Sequence, residues 1–275
     1  MKCSYCGAEL LTGSKFCGEC GKAVSLQSAA DPAVREKQLQ MAGSASAALG
    51  KAARQARLTA SYSEDEIISE RAYNAVMILV ILWGLVVNVF LCTRVGDVYR
   101  YINPALFLVL YLVSCIAGIM IAHRSKNPAV SFLGYNLVVV PLGLVISTLV
   151  AMYGGISAVV VKDAFIYTSL ITFGMLALEM IRPQLFAKLG GALLGCLTGL
   201  IICELILLLF HVRQEMTDWI AAGLFSLYIG YDIYRSQQFP KTVDNAVDCA
   251  IDIYLDVANL FIRILSILAK SKKND

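Results

Sequence analysis

The sequence predicts an all-α membrane protein, a bundle of about seven spanning helices behind a small metal-held head. Three observations predict it. The 275-residue chain is 58% hydrophobic and only 16% charged, a balance that soluble domains rarely show. Apolar runs recur along it, the first of them, Ala72–Cys92, without a charged residue and as long as the roughly 20 residues that a bilayer needs. Two Cys-x-x-Cys pairs stand ahead of every apolar run.

The head is residues 1–24. Cys3 and Cys6 make one pair, Cys17 and Cys20 the other, and each is followed by a glycine, Gly7 and Gly21. Four thiolates at this spacing form a tetrahedron of the size zinc prefers, with no position left for a substrate, so the predicted zinc is structural. Glycine suits the positive φ of the tight backbone beneath bound sulfur. A segment this short builds no core, and the metal supplies its folding energy. The rival is a redox dithiol pair; repetition of one pattern favours zinc. The segment resembles the small zinc ribbons that open many bacterial membrane proteins, and it offers a docking point for a protein partner. "MKCSYCGAEL" has neither the apolar core nor the cleavage site of a secretory signal.

Residues 25–70 read as a polar, alanine-rich, partly helical linker. Asp31 is placed to cap a helix and Pro32 fits its first position. Lys51, Arg54 and Arg57 come near anionic headgroups if this linker lies on the bilayer; a flexible tether is the plainer alternative.

The membrane domain, 71–270, continues from Ala72–Cys92 through Pro104–Ala122, Ala129–Met152, Ala164–Leu178, Leu189–Phe210, Trp219–Tyr234 and Ile251–Leu268. Pro141 is expected to kink the third span. Cys92, Cys115, Cys196, Cys203 and Cys249 read as small packing residues. Arg124 and Lys126, Arg182 and Lys188, and Arg235 and Lys241 fall on the same side as the N-terminal Arg35, Lys37, Lys51, Arg54, Arg57 and Arg71, whereas the opposite connections carry Arg94 and Arg100, then Lys162, then Arg213. The positive-inside rule puts the N-terminus in the cytoplasm, where zinc thiolates also stay reduced. The lysine-rich tail "AKSKKND" conflicts with an odd number of spans.

Ionisable residues within spans are expensive and read first as functional. Glu204, Asp232 and Asp256 lie inside predicted spans, and Arg124 stands at the end of one. Asp244, Asp248, Asp252 and Asp256 form a ladder in steps of four. Such steps drift around a helix by about 40° each, so they make no single stripe. Thr242 caps this helix and Asp244 sits in its first turn, where the dipole favours an acid. Asp244 and Asp248 therefore need no membrane explanation, and Asp252 is placed to line an acidic approach for cations. Asp256 needs a partner, and Asp232 on the preceding helix is the candidate. Two carboxylates in contact in a dry site share a proton and titrate as a unit. Arg124 beside them would add a competing ion pair and make the site bistable. The rivals are a structural pair for Asp232 and Asp256, a snorkelling charge for Arg124, and a lone protonated acid for Glu204 rather than a place on the ion path.

The segments "LFSLYIGYDIYRSQQ" and "AIDIYLDVANLFIRILSIL", with "RSKNPAVSFLGYNLVVVPLGL" and "LGGALLGCLTGLI", resemble the transmembrane Bax inhibitor motif family over residues 70–270. The resemblance implies a seven-helix bundle with the last helix central, in a bacterial cell membrane, leaking calcium in a pH-dependent way. It maps the family's paired aspartates onto Asp232 and Asp256, and its second-helix arginine onto Arg124. Val113 and Ser114 stand where the family has a glutamate, and Glu204 matches no position of its pattern.

An enzyme is not expected. His123 and His211 are the two histidines, too few for a histidine-bound catalytic metal. "GGISAVV" lacks the closing glycine of a nucleophile elbow. No basic patch interleaved with aromatics points to nucleic acid. The expected function is a pH-sensitive leak for cations, calcium above all. A proton-coupled exchanger and a membrane-anchored interaction protein using the ribbon are the rivals.

Overall fold

A computed structural model of the chain describes residues 36–41, 43–45, 66–96, 103–210 and 215–274. The four head cysteines and most of the linker lie outside them. Among the described residues the chain forms helices and no strand. These are α1 Glu70–Arg94, α2 Pro104–Arg124, α3 Pro128–Met152, α4 Val159–Ile181, the short α5 Pro183–Ala187, α6 Gly190–Leu209, α7 Glu215–Ser236 and α8 Val243–Asn274. Residues 36–41 and 43–45 are helical as well.

The boundaries follow from local chemistry. Ser69 caps α1 by accepting from the Ala72 N–H, and Arg94 stands in its last turn, each complementing the helix dipole or its orphan groups. Asn127 caps α3, with Pro128 in the first turn where no N–H is needed. Gly154 and Gly155, at φ of 97° and 84°, reverse the chain after α3. Pro183 lacks the donor to extend α4, and Arg182 before it leaves the helical region, so α5 starts afresh. The helix α3 runs on through Pro141.

Among the described residues five helices, within α1, α2, α3, α4 and α6, are long and apolar enough to cross a membrane. Their outward faces carry Leu79, Phe90, Val113, Phe173 and Leu209, all exposed. An apolar belt of this kind needs hydrocarbon around it, and the protein is an integral membrane protein. The close approach of α2 and α3 relies on small residues. A Cβ on Gly118 would sit 2.5 Å from the Gly134 carbonyl oxygen, and one on Gly134 2.5 Å from that of Gly118.

The helices α7 and α8 carry too much charge to count as lipid-facing spans. The reason is their position. The last helix packs against α1, α3, α4 and α7, and almost every residue from Asp244 to Ser266 is buried. Its polar side chains meet protein instead of lipid, which is the condition under which a membrane tolerates them. The helical residues 37–45 belong to the same compact unit as this bundle. Leu39, Gln40 and Ser44 are fully buried, so this part of the linker is core.

Candidate functional site

One face of α8 is polar along its whole length. Asn245, Cys249, Asp252, Asp256, Asn259, Arg263, Ser266 and Lys270 follow one another in alternating steps of four and three. That alternation keeps residues on one line of a helix, and packed helices normally fill such a line with apolar side chains. Here the seam is acidic towards the start of α8 and basic towards its end. All but Lys270 are buried.

At the first end, Thr242 caps α8 by accepting from the Asn245 N–H at 3.1 Å. Asp244 accepts from the Ser131 hydroxyl of α3. His123 Nδ1 of α2 lies 3.4 Å from an Asp248 carboxylate oxygen. Both aspartates are 2% exposed, covered by the ends of α2 and α3, and Asp244 lies in the first turn as expected. Lys241 donates to the Gln237 carbonyl and side chain, each at 3.0 Å. Burial holds its ammonium below the usual lysine range.

In the middle lie Asp252, Asp256 and, on α7, Asp232, none more than 3% exposed. The antiparallel register of α7 and α8 is set by three contacts. Asn245 donates to the Pro240 carbonyl, Tyr73 bonds both the Ser236 carbonyl and Cys249, and Ser266 donates to Asp218. The same register puts Asp232 level with Ile253, next to Asp252 and about 4.5 Å of helical rise from Asp256. Asp252 and Asp232 therefore lie close in depth, with Asp256 a little under one helical turn beyond Asp232 along α8. Arg124 stands apart: its side chain is exposed, beside a shallow recess lined by Met120, Ile121, Ser125 and Val130. Successive helical residues point about 100° apart, and it is His123 that turns inward at this level.

At the far end Arg263 is fully buried. Its guanidinium grips Glu204 of α6 with both nitrogens, at 2.6 and 3.0 Å, and reaches Asp218 of α7 at 3.1 Å. Asp218 also accepts from Lys270 and Lys37, both at 2.6 Å. Gln40 and Ser44 complete the shell of Arg263, each at 3.0 Å. Two acids and three bases thus compensate one another. A fork-on-fork pair with further hydrogen bonds is the arrangement in which buried charge survives. Glu204, read from sequence as a lone acid or path residue, is an ion-pair partner.

Sequence reasoning passed over Arg263, Asp218 and His123. A signal for the first was present: an arginine inside "LFIRIL" is an intramembrane charge like any other. The polar spacing from Asn245 to Lys270 was a second. Among the described residues no three histidines, cysteines or acids gather as a metal site, and Cys92, Cys115, Cys196, Cys203 and Cys249 form no disulfide.

Residues 67–273 match the family described as inhibitor of apoptosis-promoting Bax1, and residues 2–24 match a zinc-ribbon domain. Protein lifeguard 4 of Mus musculus is 25% identical over 209 residues, covering 74% of this chain and 84% of that relative. Protein LIFEGUARD 1 of Arabidopsis thaliana is 32% identical over 116 residues, 40% of this chain and 49% of its own length. An uncharacterized protein of Helicobacter pylori is 35% identical over 104 residues, 36% of this chain and 43% of that protein.

Proposed function

The chain belongs to the family of inhibitors of apoptosis-promoting Bax1, and from that premise we propose that it is a pH-sensitive leak for cations, with calcium as the transported ion. The observation that carries this reading is the buried polar seam of α8. A membrane protein that needed only stability would fill the centre of its bundle with apolar side chains; this one lines it with Asp252, Asp256, Asn259 and Arg263. Carboxylate oxygens suit calcium.

Asp232 and Asp256, a little under one helical turn apart in depth on neighbouring helices, are the proposed sensor. Gain or loss of a shared proton would change the charge in the middle of the seam, and with it the attraction for a cation. Asp252 continues this acidic stretch toward His123 and Asp248. Arg124, exposed at the mouth, is assigned to topology and to that entrance. Seven spans are proposed, with α7 and α8 crossing inside the shield of the other five. The basic residues around Arg71, Arg124, Arg182 and Lys241 assign that end to the cytoplasm. Lys37 lies level with Lys270 at the opposite end of α8, so the basic-residue count speaks for the side of Arg71 and not for the side of residue 37. Membership alongside the Helicobacter pylori relative fits a bacterial cell membrane.

The decisive measurement is calcium flux from liposomes holding the purified protein, over a pH series. Asp232→Asn and Asp256→Asn should each flatten the pH profile; an unchanged profile in both removes the sensor assignment. Flux that requires an opposing proton gradient would identify an exchanger. The zinc-ribbon match favours a second role. Cys3, Cys6, Cys17 and Cys20, whose four thiolates fit zinc, would hold a structural ion, and the folded ribbon would bind a protein partner.

A further inference from the structure

The seam of α8 is not empty along its far half. Lys37, Gln40 and Ser44, in steps of three and four, present one polar face of the helical residues 37–45 to it. Ser44 and Gln40 bond Arg263, and Lys37 bonds Asp218. Asn259 donates to the Gly43 carbonyl at 3.3 Å. A Cβ on Gly43 would collide with the Asn259 side chain, so the close approach depends on glycine there. The segment runs antiparallel to α8, with Lys37 near Lys270 and Gly43 near Asn259, and covers the seam from Asn259 outward. Beyond its end lie Asp256 and Asp252.

The hold on this segment is almost wholly polar. Leu39 is its main apolar anchor, fully buried. Burial pushes the Lys37 ammonium below the usual lysine range, although Asp218 opposes the shift; the ammonium has given up water to sit there. A helix held by apolar burial would expose oily surface on leaving. This one would expose a polar face and leave behind a polar seam, and water satisfies both.

We propose that residues 37–41 and 43–45 are a removable plug: in the closed state they occupy the far half of the α8 seam, and their withdrawal opens it. This regulation rests on the transport reading above. The neighbouring ion network follows from it. Asp218 is held by Arg263 and Lys270 with or without Lys37, so α6, α7 and α8 stay joined when the plug leaves.

The experiment uses the full chain in liposomes with two readouts. One is calcium flux. The other is the labelling rate of Asn259→Cys by a water-soluble maleimide, scored on the peptide containing that position. The combined variant Lys37→Ala, Gln40→Ala, Ser44→Ala should raise flux about tenfold, the size expected when a shut population is partly released, and should speed labelling. Faster labelling with no flux in either protein leaves the plug standing and removes the transport reading. Unchanged labelling in a monodisperse variant overturns the plug, whatever the flux. If the triple variant fails to fold, Lys37→Glu, which sets two acids side by side, serves with the same readouts. It too should speed labelling, and an unchanged rate counts against the plug.

Discussion

Arg263 shows how one side chain organises the far end of the bundle. Its side chain is fully buried and bonds Glu204, Asp218, Gln40 and Ser44. Removing one partner of such a buried network leaves a charge without compensation, at about 3–5 kcal/mol. Arg263→Ala should therefore lower the thermal midpoint of the purified protein sharply. Arg263→Lys should recover part of that loss only, because an ammonium has no planar fork to match the Glu204 carboxylate. Glu204→Gln together with Arg263→Met removes both charges, and is expected to be milder than Arg263→Ala alone. A double variant as damaging as the single one would show that the pair is not the organising contact. Asp232 and Asp256 differ in kind: both are buried, and a third acid, Asp252, is buried beside them on α8. Under the proposed sensor role their charge is what changes, which is why their test reads pH dependence instead of stability.

The elements divide by what surrounds them. The helices α1, α2, α4 and α6 present apolar faces to lipid, while α8 is wrapped by α1, α3, α4 and α7. The backbones of α2 and α3 approach closely where Gly118 and Gly134 each face the other's carbonyl oxygen. Gly134→Val would force these helices apart and should cost about 1–3 kcal/mol by overpacking, read as earlier loss of helical signal on heating. Because α2 and α3 carry His123 and Ser131 to Asp248 and Asp244, the same variant should open the near end of the seam. Labelling of Asp248→Cys from the aqueous phase would report it. An unaltered midpoint with unaltered labelling would mean that the two backbones tolerate the extra methyl groups.

At the scale of the whole molecule, the chain is two units, Met1–Glu36 and Lys37–Asp275. A ribbon that owes its folding to zinc should be lost with the metal, while a bundle without a zinc site should not notice. Chelation of the purified protein is expected to release one zinc ion per chain, by a colorimetric thiol-sensitive zinc assay, and to leave the melting of the helical bundle in place. A single cooperative loss of both would contradict the division. Much of this arrangement was legible beforehand. Composition and the apolar runs determined a helical membrane protein, since a bilayer accepts little else. The spacing of Cys3, Cys6, Cys17 and Cys20 determined the ribbon reading, and the caps at Ser69, Asn127 and Thr242 are local chemistry. The alternation of polar residues from Asn245 to Lys270 was also written in the chain, though it declares itself only once α8 is known to be central. The tertiary structure alone decided the rest. It brought Glu204 and Asp218 to Arg263, turned His123 inward and Arg124 outward, set Asp232 level with Ile253, and laid Lys37, Gln40 and Ser44 in the seam. The physical reason is range. Spacing governs what a residue does within its own helix, but these contacts join positions from 45 to 223 residues apart, and which side chains meet across such distances depends on how the helices pack.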